Sequence, residues 1–192
     1  MNTEELNALK ERAYKTAVAH GFHEEVRPDA YWLGLVMSEM GEAINADRRG
    51  RHVNTGAFEW DMVNIPFMDC FEVYIKDSVE DEIADIVIRL LDFAGMKGYT
   101  PCVVAKAQRT IDSSDAFLKF EESGMPGMLF YLMDFLTDGF SWNELETCIY
   151  NIMYILYDCF EKMTGSDKDL WYFVKNKMRY NELHPRLNGK KY

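Results

Sequence analysis

The sequence predicts an all-α fold, a helical bundle, and three observations predict it. Apolar residues recur every three or four positions along almost the whole chain, the two-residue alternation of strands is scarce, and Gly or Pro punctuates the periodic runs. A first helix is expected over Thr3–His20, ending at Gly21, and a second opens at Pro28, suited to a first helical position, and stops at Gly50. A third begins near Ser78, whose hydroxyl can cap the amides of Glu80 and Asp81, and runs to Lys97 before Gly98. Met128–Leu136 and Trp142–Met163 read as a helical hairpin turning at Asp138-Gly139, and Asp167 is placed to cap a last helix over Lys168–Asn181. Two stretches are less regular. Residues 51–76 mix Gly, Pro and Asn with Phe58, Trp60, Phe67, Phe71 and Tyr74, an aromatic-rich insertion that must pack on something. Residues 98–124 read as a connection with one short helix.

Composition narrows the function classes. The 192 residues suit one domain spanning 1–192, and 48% hydrophobic residues with 14% aromatics supply a core. Thirty-two acidic against 21 basic residues give a formal charge of −11, which repels a phosphate backbone and argues against a general nucleic-acid binder. Cys70, Cys102, Cys148 and Cys159 have no CxxC spacing and lie among apolar neighbours, so buried, reduced thiols are expected rather than zinc ligands or disulfides. With no signal-peptide pattern at the N-terminus and no membrane-length apolar run, a soluble, cytoplasmic protein without membrane partners is expected.

The informative segment is Tyr31–Ala46, whose only charges are Glu39 and Glu42. Leu33, Val36, Met37, Met40 and Ile44 form one apolar stripe, yet Tyr31, Leu35 and Ala46 share the other side with the glutamates, so the helix reads as buried nearly all round. Glutamates three apart lie on one helix face, and like charges about 4 Å apart repel by about 4 kcal/mol at an effective dielectric of 20. Something positive is expected there. The helix that follows places Glu82 and Asp85 three apart, opposite Val79, Ile83, Ile86 and Leu90. Antiparallel packing of the two helices would join four carboxylates with no thiolate or imidazole, a donor set for magnesium, or manganese in its place, and for phosphate chemistry. The competing reading makes Asp81, Glu82, Asp85, Arg89 and Asp92 a solvated face with an Asp85–Arg89 pair.

At these residues the chain resembles a known family. SEMGEAINADRR followed by EDEIADIVIRLLDFAG is similar to the MazG-like, all-α nucleoside triphosphate pyrophosphohydrolases, whose signature is Glu-x-x-Glu on one helix and Glu-x-x-Asp on the next. The C-terminal KMRYNELHPRLNGKKY is similar to the Lys-x-x-Tyr-Asn ending and basic tail of phage and bacterial members. The resemblance implies hydrolysis between the α and β phosphates of a nucleoside triphosphate, to a monophosphate and pyrophosphate. It implies that Glu39, Glu42, Glu82 and Asp85 hold magnesium, one of them also orienting or deprotonating the attacking water. Lys177 and Asn181 would address the phosphates, with Arg186 and Lys190 closing over them. Independently, the tail at 175–192 concentrates Lys175, Lys177, Arg179, Arg186, Lys190 and Lys191 against one acid, Glu182, which a triphosphate can use; a tail that only serves the helix dipole or solubility is the plainer reading. The chain departs from the family in having Ser38 before Glu39, a long link between the motif helices, and His184 where arginine is common.

Other features leave alternatives. Trp32 and Trp60 can stack on a base, or serve core packing and a subunit contact. His20, His23, His52 and His184 form no metal-ligand spacing, and without a Glu-x-x-His a ferritin-like di-iron bundle is disfavoured. Glu146–Asp158 can be laid on Glu80–Asp92 at an offset of 66 residues, either as a degenerate second copy of the catalytic hairpin or as the general likeness of amphipathic helices. In that alignment Cys148 and Asn151 stand where Glu82 and Asp85 stand. Helices apolar on more than one face, with the family resemblance, lead to the expectation of a homodimer or higher homo-oligomer. A non-catalytic nucleotide-binding or structural bundle that keeps the fold is the alternative function.

Overall fold

The structure is a computed structural model that describes residues 2–101 and 111–184. These residues form eight helices and no strand: α1 (Thr3–Ala19), α2 (Asp29–Arg48), α3 (Thr55–Asp61), α4 (Phe67–Tyr74), α5 (Val79–Lys97), α6 (Ser113–Ser141), α7 (Leu145–Thr164) and α8 (Leu170–Leu183). The fold is all-α, and no described helix is long and apolar enough to cross a membrane. Local chemistry fixes the helix starts. Asn2 and Glu5 form a reciprocal capping box on α1, Ser78 Oγ accepts from the Asp81 N–H, and Asp169 accepts from the Tyr172 N–H.

Helix α5 is the centre of the molecule, with α1, α2, α7 and α8 packed around it. Its apolar side chains Val79, Ile83, Ile86, Val87, Leu90 and Leu91 are all buried. The Val79 N–H donates to the Arg51 carbonyl just past α2, and Lys97 pairs with Asp29 at the opposite ends, so α2 and α5 run antiparallel. Helices α6 and α7 form the second antiparallel pair, with Ser113 Oγ donating to Asp158. Contacts of α2 with α6 and of α5 with α7 join the two pairs into one core.

Three sequence expectations change. The long helix α6 already starts at Ser113, capped by Asp112, within the stretch expected to be a connection; Gly124 at φ 66° and Pro126 bend it where a break was expected. Its turn into α7 lies at Trp142–Glu144, not at Asp138-Gly139, because Gly139 serves close packing: a Cβ there would stand 2.4 Å from Cys148 Sγ. The last helix is capped by Asp169 rather than Asp167, whose carboxylate accepts from Thr55 Oγ1 instead. Cys70, Cys148 and Cys159 are buried, as expected, and form no disulfide among the described residues, while Cys102 lies outside them.

The 51–76 insertion folds into α3 and α4. Phe58, Phe67, Cys70, Phe71 and Ile75 make a second small core that closes on Tyr180 of α8, with Phe71 stacked on the Tyr180 ring at 4.2 Å. The aromatic residues that made this stretch unlike a linker thus anchor it to the last helix.

The α1–α5 contact is as close as the core permits. A Cβ at Gly95 would stand 2.5 Å from the Tyr14 Cβ, which is fixed to the backbone and cannot swing aside. Gly95→Ala is therefore expected to lose about 1–3 kcal/mol in chemical denaturation despite alanine's better helix propensity.

Candidate functional site

A cleft of about 220 Å³ opens between α1, α2, α5 and α8, with Lys76 and Asp77 from the link before α5 in its wall. Glu39 and Glu42 come from α2, Glu82, Asp85, Arg89 and Asp92 from α5, Lys177 and Asn181 from α8, and His184 from the residue that caps α8. The four carboxylates expected from the sequence all reach this cleft, but they do not form one equivalent set. One oxygen each from Glu39, Glu42 and Glu82 falls within 4.8 Å of the others, a spacing suited to a single divalent cation with hard oxygen donors. Asp85 is engaged differently, its Oδ2 lying 2.7 Å from the Lys177 ammonium. The antiparallel packing of α2 against α5 makes this assembly, since it sets one turn of each helix face to face.

The positive charge that the apolar glutamate helix required comes from two sources. Arg89 Nε donates to Glu39 Oε1 at 2.9 Å, so the arginine pairs across to α2 and not, as the solvated-face reading has it, to Asp85. That reading also fails on burial, because Asp81, Glu82 and Asp92 are all buried. Lys177 is the second source, bridging Asp85 and the fully enclosed Asp81, whose Oδ2 it reaches at 2.8 Å. Asp81 Oδ2 also accepts the Asp77 N–H, whereas its Oδ1 is buried without a partner among the described residues. The Phe71 and Tyr180 rings flank the Lys177 ammonium at 5.6 and 5.8 Å. Through this flanking, the insertion's small core holds the lysine in the cleft wall.

The electrostatic result is a site with unsatisfied negative demand. Burial, followed by repulsion from Asp85 and Asp81, pushes the Glu82 carboxyl up to about 8. Burial and Asp85 also raise Glu39, although Arg89 opposes them. Burial works against the Lys177 charge, but Asp85 and Asp81 outweigh it and lift its pKa above the ordinary lysine value. A divalent cation at the triad would reverse the Glu82 shift by supplying the missing charge. The donor set, its spacing and this surplus of negative charge all fit a hard cation.

The remaining sequence candidates divide. Asn181 lines the cleft one turn beyond Lys177, while Arg186 and Lys190 lie outside the described residues. Lys175 is exposed, and Arg179 stands over the Phe67 ring at 3.9 Å, committed to the insertion rather than to the cleft. Trp32 is buried and stacked on His23 at 4.5 Å, and Trp60 is exposed on α3; neither lines the cleft. At the positions aligned with Glu82 and Asp85, Cys148 packs against Gly139 and Asn151 is half-buried, so the second hairpin carries no equivalent acid there.

Sequence reasoning placed Asp81 and Asp92 only on a solvated helix face, and it did not point to the Arg89–Glu39 pair or to His23 meeting Asp92 at 2.7 Å. For Asp92 the signal was available, since 82, 85, 89 and 92 follow one stripe of a helix. No protein-family model, curated protein or solved structure matches this chain.

The raised Glu82 pKa has a definite sign in stability. Between the unfolded carboxyl pKa and about 8 the folded chain holds a proton at Glu82 that the unfolded chain releases, so the contribution to stability is present at low pH and lost as pH rises through that window. In chelator, the melting temperature of the wild type should therefore fall more between pH 5.5 and 8.5 than that of Glu82→Gln, by thermal circular dichroism. Parallel curves would remove the buried-charge account of Glu82.

Proposed function

We propose that the chain is a magnesium-dependent nucleoside triphosphate pyrophosphohydrolase that breaks the bond between the α and β phosphates. The observation that carries the reading is the convergence of Glu39, Glu42 and Glu82 on one point in a cleft whose wall also holds Lys177 and Arg89. The resemblance of the same residues to the MazG-like signature supports it, as does the all-α fold. Glu39, Glu42 and Glu82 would hold the ion, with Asp85 adjoining them. Bound there, magnesium or manganese would offset phosphate charge and lower the pKa of a water molecule.

The chain's own residues account for the rest of the work. Lys177 is held protonated by Asp85 and Asp81, and its ammonium is a fixed charge against which a phosphate oxygen can settle. Arg89 neutralises Glu39 and keeps that carboxylate oriented on the triad. Glu42 is exposed on the cleft side of α2 and forms no ion pair among the described residues, so its carboxylate is the one available to orient an attacking water or take its proton. Asn181 offers an amide that donates and accepts beside the phosphate chain.

The decisive assay offers canonical and modified ribo- and deoxyribonucleoside triphosphates with magnesium and scores pyrophosphate and orthophosphate separately. Pyrophosphate from one or a few of them is the expected result. Release of orthophosphate alone would move the reaction to another bond, and silence with the fold intact would favour a nucleotide-binding or structural bundle. Glu42→Gln should reduce turnover by at least about a hundredfold, the scale of general acid–base and metal-ligand contributions, with the helical circular dichroism unchanged because Glu42 is exposed. Full activity in that variant would reject the assignment.

A further inference from the structure

We propose that the Asp92 end of the cleft binds the nucleobase and selects a base that presents an exocyclic amine, the second carboxylate oxygen of Asp92 accepting from that amine. The inference rests on reading the cleft as a nucleotide site and adds the class of nucleotide. Asp85 and Asp92 lie on one stripe of α5, and seven residues of helix separate them by about 10 Å along the axis. Lys177 and the acidic triad occupy one part of this stripe, so a phosphate chain seated there would direct its sugar and base along α5, past Arg89, toward Asp92 or away from the molecule. The Asp92 end is built for a planar polar group. Phe22 lines it, with the Arg89 guanidinium 5.7 Å from the ring centre, and provides an aromatic surface of the kind bases stack on.

Asp92 itself is held in one orientation. His23 Nε2 lies 2.7 Å from Asp92 Oδ1, and the imidazole is fixed by stacking on Trp32 and by edge contact with Tyr14 at 5.1 Å. Oδ1 is thereby used, whereas no hydrogen bond to Oδ2 is formed among the described residues, and the side chain lines the cleft. The proton between His23 and Asp92 sits on the Nε2–Oδ1 side whichever group carries it. Oδ2 remains an acceptor in either case. An acceptor suits the amine of cytosine or adenine and opposes the keto oxygen that uracil or hypoxanthine carries at the same ring position. An acceptor that a bound base shuts off from solvent and leaves facing that oxygen loses its bond, which is the kind of mismatch that discriminates strongly.

The test is equilibrium binding of CMP, UMP, AMP and IMP to the full chain in magnesium, by titration calorimetry, for the wild type and Asp92→Asn. The amine-bearing member of the pyrimidine or the purine pair should bind at least about tenfold tighter than its keto partner, a difference of about 1.4 kcal/mol. Asp92→Asn should erase that ratio, since an amide can turn its N–H groups toward a keto oxygen. Equal or reversed preference in both pairs, no measurable binding of any of the four, or an unchanged ratio in a folded variant overturns the proposal and leaves His23–Asp92 as a structural clasp. If the variant does not fold, the wild-type ratio decides alone. Pyrophosphate release is scored separately: discrimination without release removes the hydrolase reading and keeps the base site, and release without discrimination removes only the base site.

Discussion

The salt bridge from Lys177 to Asp81 and Asp85 is the constraint on which the rest of the cleft depends. Helix α5 is surrounded by four others, and a helix so enclosed ordinarily carries no charge. Here it buries Glu80, Asp81, Glu82 and Asp92, and three of the four meet a donor supplied by a neighbour. Glu80 takes the Val53 N–H and His52, Asp81 takes Lys177 and the Asp77 N–H, and Asp92 takes His23. These bonds tie the link, α8 and the α1–α2 turn to the central helix. Removing one member of a buried pair generally costs about 3–5 kcal/mol, and an apolar pair of similar shape is often no less stable than the ion pair. Economy of stability alone does not account for so many acids on α5.

Glu82 differs from its buried neighbours because no cation among the described residues pairs with it as Lys177 pairs with Asp81. The helix face that presents it also presents Glu39 and Glu42 across the α2 contact. The fold therefore neutralises the outer members of the cluster, through Arg89 on Glu39 and Lys177 on Asp85, and leaves the middle short of positive charge. A cleft open to solvent adjoins that point. Near neutral pH a proton on Glu82 stands in for that charge, and a cation bound at the triad would displace it, so metal binding is coupled to proton release. The insertion contributes at a distance, because its aromatic core packs on Tyr180 and brings Phe71 beside the lysine.

Much of this was legible in the sequence where local chemistry decides. Ser78, Gly98 and the polar–apolar periodicity located α5 to within a residue, and the near absence of charge along Tyr31–Ala46 marked a buried helix with two glutamates in need of partners. The partners were not legible, since Arg89 to Glu39 and Lys177 to Asp81 depend on tertiary packing across 50 and 96 residues. Gly139 misled because a glycine that permits helices to touch carries the same letter as one that ends a helix, and only the Cys148 contact tells them apart. Ser113–Gly124 reads as polar and broken, yet it is held helical by the Asp112 cap and by Ala116 in the core. Asp167 and Asp169 are equally suited caps in sequence, and the one nearer the packed Leu170 and Trp171 is used.

The central claim is that a cation binds at one point, between α2 and α5. Titration of paramagnetic manganese into isotopically labelled protein, followed by amide resonance broadening, tests it most directly. The account predicts saturable broadening at substoichiometric manganese, confined to residues around Glu39, Glu42 and Glu82, with magnesium reversing it and the α6–α7 pair unaffected. Broadening spread over the acidic surface, or centred anywhere other than these three carboxylates, would contradict it.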